Sequence, residues 1–99
     1  MTDARPSWTF LTNHGHVLLA IAADPDSRIA DIAARVGISA RAALGILGDL
    51  EDEGYVVRTR RGRRTHYELV PHRPFRHPNE ADHEVDDLLA VFTRDESAP

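Results

Sequence analysis

Residues 29–43, IADIAARVGISARAA, carry the strongest structural signal in this 99-residue chain. The apolar residues from Ile29 to Val36 recur at i, i+3, i+4 and i+7, which predicts a helix with one buried face. Gly37 follows where helices commonly end in a left-handed residue, and Ser39 can cap a second helix directly after it. Two helices joined by such a short turn cross steeply, so the second one projects from the domain. The stretch therefore predicts a helix-turn-helix.

The elements on either side of this stretch follow from caps, turn residues and apolar period. Thr12 and Ser27 are positioned to cap the first and second helices, and Gly54 stops the third. At Tyr55 the period changes from helical to alternating, so a hairpin is predicted with its turn at residues 61–63. The predicted elements are a strand at residues 8–10, helices at about 13–23, 28–36 and 40–53, strands at 55–60 and 64–70, and a last helix at 79–93.

This order, β-α-α-α-β-β-α, predicts an α+β protein that is mostly α: a winged helix-turn-helix with an added C-terminal helix. Residues 1–7 and 94–99 are expected to be flexible tails, and residues 8–70 the winged domain. Residues 71–78 contain three prolines and are predicted to form an extended connection. Residues 79–93 then form a C-terminal helix.

The charge distribution is uneven although the whole chain has a net charge of −4. Residues 55–78 contain seven arginines and a single acid, Glu68, which gives that segment a charge of +6 against −10 elsewhere. A local basic face can bind phosphates while the rest of the protein repels them. The chain has no cysteine, no apolar run near the roughly 20 residues that span a bilayer and no secretory signal in its first residues. A cytoplasmic protein is expected.

Three segments together resemble the winged helix-turn-helix regulators of the MarR and ArsR type. They are DIAARVGIS at residues 31–39, DLEDEGYV at 49–56 and RRGRR at 60–64, and the resemblance extends from about Trp8 to Phe92. It implies a transcriptional regulator that binds double-stranded DNA sequence-specifically as a homodimer. It also implies that the third helix lies in the major groove and that the wing contacts the backbone or the minor groove.

The candidate DNA contacts lie at the two helix N-termini and on the wing. Helix N-termini attract phosphates, and arginine binds phosphate or guanine. The candidate residues are Ser27, Arg28, Ser39, Arg41, Arg58, Arg60, Arg61, Arg63 and Arg64.

The third helix departs from the pattern that the resemblance implies. It carries Leu44, Gly45 and Gly48 where long polar side chains are usual. The two glycines are explained either by close packing against a neighbouring element or by close approach of the helix backbone to DNA. An alternative function is therefore a protein-interaction module that keeps the winged frame and has lost base recognition.

The last helix has one apolar face, formed by Val85, Leu88, Leu89 and Phe92 at helical spacing. In the family it resembles, the terminal helix commonly pairs with its counterpart, so these residues are predicted to form a homodimer interface. The alternative is a brace that packs across the core of the same domain.

No catalytic residue, metal or cofactor is predicted. The mid-chain serines are explained as helix caps, and neither a glycine-rich phosphate loop nor a nucleophile–base pair is present. Histidines and acids near the last helix could suggest a metal sensor, with His83 and Asp87 at i, i+4, but exposed acids are common and thiolates are lacking. The expected partners are double-stranded DNA, a second copy of the chain, and an unknown small-molecule or protein effector; no membrane partner is expected. The residues weighed for a metal are His72, His77, Asp82, His83, Asp86 and Asp87.

Overall fold

The computed structural model describes residues 6–93, and these form four helices and one antiparallel hairpin. The predicted tails at residues 1–5 and 94–99 lie outside the described residues. The elements are α1 (Asn13–Ala23), α2 (Ile29–Val36), α3 (Ala40–Asp52), β1 (Val56–Arg61), β2 (Arg64–Leu69), a short 3₁₀ helix (Pro78–Glu80) and α4 (Val85–Thr93).

The predicted helix-turn-helix is confirmed. Gly37 has φ 89° and ends α2, and its N–H donates to the carbonyl of Ala33 at 2.7 Å. Ser39 begins α3, and its hydroxyl accepts the N–H of Ala42 at 3.0 Å. Thr12 caps α1 in the same way. These local choices fix the crossing of α2 and α3 and leave one face of α3 outside the core.

A single apolar core joins the four helices to the base of the hairpin. Because the buried residues recur at helical spacing, each helix turns one face inward. The core consists of Val17, Leu18, Ala20 and Ile21 of α1, Ile32 and Ala33 of α2, Ala43, Ile46, Leu47 and Leu50 of α3, Val56 and Tyr67 of the hairpin, and Val85 and Leu89 of α4.

The hairpin is the predicted wing. Its register pairs Val56 with Leu69 at the base and Arg61 with Arg64 at the tip, so the turn consists of Gly62 and Arg63. Gly62 has φ 62°, the left-handed conformation that tight two-residue turns require and that glycine adopts without strain. Only the base of the wing is buried, and the arginine-rich tip projects into solvent.

The predicted strand at residues 8–10 is wrong. Within residues 6–93 the sheet contains β1 and β2 alone, so this segment has no strand to pair with. Trp8 and Phe10 instead make an edge-to-face ring contact, with centroids 5.0 Å apart. A strand requires a hydrogen-bonded neighbour, and alternation of side chains alone does not supply one.

Two further predictions need correction. Ser27 does not cap α2, because the helix starts one residue later: Arg28 is the N-cap and makes no side-chain capping bond. The last helix begins at Val85 and not at residue 79. Its expected first turns are replaced by hydrogen bonds to the connection, from Phe75 N–H to the His83 carbonyl at 3.1 Å and from Val85 N–H to the Arg73 carbonyl at 2.8 Å.

The connection between the wing and α4 is held against the end of α3. The hydroxyl of Tyr55 donates to the carbonyl of Pro74 at 2.5 Å. Arg73 donates to the carbonyl of Glu53 at 2.9 Å and lies over the Tyr55 ring, 5.6 Å from its centroid. The packing of α4 against α1 is thereby set. No helix among the described residues has the length and apolar character needed to cross a membrane.

Candidate DNA interface

The face of α3 opposite the core carries few long side chains. Arg41 and Gly45 are exposed, Gly48 is half-buried and Leu44 keeps 48% of its surface. Arg41, Gly45 and Gly48 lie at i, i+4 and i+7, so they form one row along the helix. A flat surface with a single arginine near its N-terminal end therefore faces solvent.

The glycines of α3 are not explained by packing. A Cβ atom at Gly45 or Gly48 would have no atom of another element within 4 Å in the described part of the chain. Close approach to a neighbouring element is therefore wrong as an explanation. Each glycine costs about 1 kcal/mol of helix stability relative to alanine, which leaves close approach of the backbone to a binding partner as the remaining explanation.

We expect Gly45→Ala and Gly48→Ala to stabilise the free protein and to weaken its binding to DNA. Each change should raise the free energy of unfolding by about 0.5–1 kcal/mol, because the added methyl group meets no atom and lowers the entropy of the unfolded chain. Urea unfolding and fluorescence anisotropy on the same samples would measure both effects. If both variants gain stability and bind duplex DNA as tightly as the wild type, the close-approach explanation fails.

The N-termini of α2 and α3 differ in their caps. The hydroxyl of Ser39 is occupied by its own helix. Ser27 lies before the N-cap of α2, is half-buried, and donates its N–H to the Asp24 carbonyl at 3.1 Å. Arg28 and Arg41 are exposed at the starts of the two helices. With no side-chain oxygen capping α2, its first-turn amides are the better placed to meet an anion.

Two of the five wing arginines have partners within the protein. The Arg58 guanidinium lies against the Glu51 carboxylate of α3, with Nε 3.1 Å from Oε2. Arg64 donates from Nη2 to the backbone carbonyl of Asp26 at 2.9 Å. Both side chains contribute to holding the wing against the helices, which the sequence did not predict.

The other three wing arginines surround the turn. The side chains of Arg60, Arg61 and Arg63 are exposed and make no hydrogen bond or salt bridge with any of residues 6–93. Arg61 lies directly opposite Arg64 in the ladder, a like-charge pair that destabilises an isolated hairpin. The wing tip is therefore a concentrated positive charge without an internal counterion.

The base of the wing is joined to the turn between α1 and α2. The N–H of Tyr67 donates to the carbonyl of Pro25 at 2.8 Å, and Nδ1 of His66 lies 2.8 Å from Oδ1 of Asp26. The hydrogen bond with His66 holds the pKa of Asp26 below its usual value, against the opposing effect of burial. Sequence reasoning missed this link because the partners are 40 residues apart and neither belongs to a motif.

We expect His66→Ala to raise the pKa of Asp26 towards its ordinary value of 3.8. A carboxyl whose pKa is lowered in the folded state contributes stability above its unfolded pKa and loses it as the pH falls through the folded pKa. The wild type should therefore lose more stability than the variant below about pH 4. Carbon-detected NMR of the Asp26 carboxyl would measure the shift, with His77→Ala as a control that leaves it unchanged. An unaltered Asp26 pKa in the His66 variant would contradict the assignment.

The apolar face of α4 is divided between the core and solvent. Val85 and Leu89, which the sequence assigned to a dimer interface, lie in the core of their own domain, as the brace interpretation required. Leu88 is half-buried, whereas Phe92 and Val91 keep 57% and 65% of their surfaces. The helix therefore braces the domain with one part of its face and exposes apolar residues on the rest.

A groove of about 750 Å³ lies beside the exposed part of α4. Its walls come from the residues before α1, the ends of α1 and α3, the connection and α4. Among its apolar lining residues are Phe10, Leu11, Leu18, Leu50, Phe75 and Leu88. Trp8 and Phe10 at its outer side are 67% and 92% exposed, so the groove continues into an apolar surface.

The three histidines around α4 are not brought together. His72 lies against Glu84, with Nδ1 2.9 Å from Oε1. The ring of His77 accepts the N–H of Asn79, and His83 lies 3.8 Å from Asp87. The hydrogen bond with Glu84 and its charge raise the pKa of His72.

A helix-turn-helix followed by a cationic hairpin defines a winged helix-turn-helix DNA-binding domain. The model of the MarR family matches residues 9–64, more than half of the chain. The chain belongs to the MarR family and is a DNA-binding transcriptional regulator, not an enzyme. No curated protein sequence matches it.

Solved structures of the same family share the fold. The PcaV regulator of Streptomyces coelicolor, solved with its natural ligand, is 21% identical with a TM-score of 0.57, covering 83% of this chain and 60% of its own. ZitR of Lactococcus lactis in complex with DNA is 21% identical with a TM-score of 0.52 over 92% and 60%. Rv2887 of Mycobacterium tuberculosis with salicylic acid is 28% identical with a TM-score of 0.51 over 62% and 48%. The chain thus spans about half to three fifths of the length of these relatives.

Proposed function

We propose that the protein binds double-stranded DNA sequence-specifically as a homodimer. In this proposal α3 enters the major groove with its backbone close to the bases, and Arg41 reads an adjacent base pair. The wing tip contacts phosphates or a narrow minor groove. The N-terminus of α2, with Ser27 and Arg28, contacts the phosphate backbone.

The observation that carries the proposal is the state of the wing tip. Arg60, Arg61 and Arg63 project from one turn without an internal counterion, although the remaining chain is acidic enough to supply one. Such a cluster is unfavourable in the free protein, and a polyanion relieves the repulsion. The phosphates of a duplex, about 1.7 Å apart along the helix axis, are a partner of matching charge density.

The salt dependence of duplex binding tests this electrostatic account. Each neutralised phosphate contributes about 0.9 to the slope of log K against log salt, so three contacts per protomer give a slope near −2.7. Fluorescence anisotropy with a random duplex between about 50 and 200 mM salt would measure it. A flat response on a duplex that the protein binds would remove the wing from the interface.

Homodimer formation is proposed through the exposed part of α4. Leu88 is half-buried at the groove, and Phe92 and Val91 present apolar surface beside it. Val85 and Leu89 contribute by fixing the helix to its own domain. Trp8 and Phe10 extend the apolar surface, which favours burial against a second copy over exposure as a monomer.

A protein-interaction module is the second candidate, and the surface of α3 favours it. Leu44 is an exposed apolar residue, and the row of Arg41, Gly45 and Gly48 offers one donor for base recognition. This candidate predicts no duplex binding even at low salt. The same anisotropy titration therefore separates the two functions.

A further inference from the structure

His72, Glu84 and Asp86 converge at the junction between the connection and α4. Nδ1 of His72 lies 2.9 Å from Oε1 of Glu84 and 3.9 Å from Oδ2 of Asp86. One ligand atom from each of the three side chains lies within 4.8 Å of the other two. The sequence considered His72 and Asp86 among several residues for a metal site but gave no reason to include Glu84.

The backbone fixes these side chains from both directions. His72 adopts φ 63°, which is uncommon for a residue other than glycine, and its N–H donates to Oδ2 of Asp86 at 3.1 Å. Pro74 and Glu84 form a β-bridge, and the N–H of Val85 donates to the carbonyl of Arg73. The loop and the start of α4 are therefore held together next to the triad without a metal ion.

The spacing of the ligand atoms suits a small transition-metal ion. Two ligands at about 2.0–2.1 Å from a tetrahedral zinc ion lie about 3.3 Å apart, between the two distances measured from His72 Nδ1. One imidazole and two carboxylates form a nitrogen–oxygen set that favours zinc and similar ions over calcium or magnesium. The side chains are 76%, 45% and 37% exposed, so water has access to the remaining coordination position.

We propose that His72, Glu84 and Asp86 bind a divalent transition-metal ion of the zinc type. The ion replaces the hydrogen bond between His72 and Glu84 and joins the connection to the first turn of α4. Binding requires neither DNA nor a second copy of the chain, so its test is independent of the proposed function.

The chain offers a matched control for this site. His83 and Asp87 form a second histidine–carboxylate pair on the same helix, 3.8 Å apart and exposed, but no third ligand of the described residues joins them. If the triad is the site, only changes to its members should affect binding. If metal binds to any exposed histidine beside an acid, both pairs should contribute.

Titration of the full chain with Co²⁺ as a spectroscopic substitute for zinc, followed by competition with Zn²⁺, tests the proposal. The wild type should develop visible absorption at one equivalent of metal. His72→Gln, Glu84→Gln and Asp86→Asn should each weaken binding by about tenfold or more, and His83→Gln should match the wild type. Circular dichroism establishes that each variant is folded, and the neutral Glu84→Gln change keeps the size of the side chain. Absence of absorption at high micromolar Co²⁺ overturns the proposal, as does an equal loss in His83→Gln or undiminished binding in the folded triad variants.

Discussion

Replacing Arg61 and Arg63 together by alanine should weaken binding to specific and to random duplexes by similar factors. Both side chains lie at the wing tip without an internal partner, so their free energy of interaction is available to phosphates. Contacts with phosphate position a protein and carry little sequence information. The slope of log K against log salt should fall in magnitude by about 2, roughly 1 for each lost contact.

Arg76→Ala is the matched control for the wing variant. It removes one exposed arginine from the connection, where the guanidinium lies 3.7 Å from Glu53 and away from the wing. Its slope should equal that of the wild type. If the wing variant loses affinity only for the specific duplex, the wing reads sequence and the division of roles is wrong.

Arg41→Ala should have the opposite signature. Arg41 is exposed in the first turn of α3, where recognition helices meet base edges. A bidentate contact from arginine to guanine discriminates by about 1–3 kcal/mol, so affinity for the specific site should fall about 5- to 150-fold. Random duplexes should bind nearly as before. Selection from a random duplex library supplies the specific site, and equal weakening on both classes of DNA would contradict base reading by Arg41.

The helix-turn-helix could be predicted because its signals are local. Gly37 and Ser39 determine where α2 ends and α3 begins through hydrogen bonds to residues three or four positions away, and the structure contains them as expected. The wing follows from alternation around Gly62 for the same reason. In these segments propensity, capping and burial pattern all favour one structure.

The incorrect predictions concern elements whose structure depends on distant partners. Alternation in residues 8–10 predicted a strand, but no strand lies beside this segment among the described residues. Asn79 was placed in a helix, yet the backbone around Val85 bonds to the connection, which no local pattern encodes. The pairing of Arg58 with Glu51 likewise separates the anchored wing arginines from the available ones only in three dimensions.

Dimer formation is the prediction with the largest expected consequence for DNA binding. The double variant Leu88→Asp, Phe92→Asp should be a folded monomer, because Phe92 is 57% exposed and neither residue belongs to the buried core. A charged group at the centre of an apolar interface is desolvated without a partner, which opposes association. Sedimentation at micromolar concentrations would show a wild-type dimer and a monomeric variant.

Loss of the dimer should lower affinity for a site with two half-sites by about 10²-fold or more. In a dimer the second half-site is bound intramolecularly, and a monomer lacks that effective concentration. Affinity for a single half-site should change little, since the wing and α3 lie away from the substituted face of α4. Val57→Asp, on the wing and 48% exposed, is a control that removes exposed apolar surface and should remain dimeric. Because Leu88 is half-buried, Phe92→Asp alone provides a second variant with less risk to the fold. A wild type that is monomeric at high micromolar concentration, or a double variant that stays dimeric, would exclude α4 as the interface.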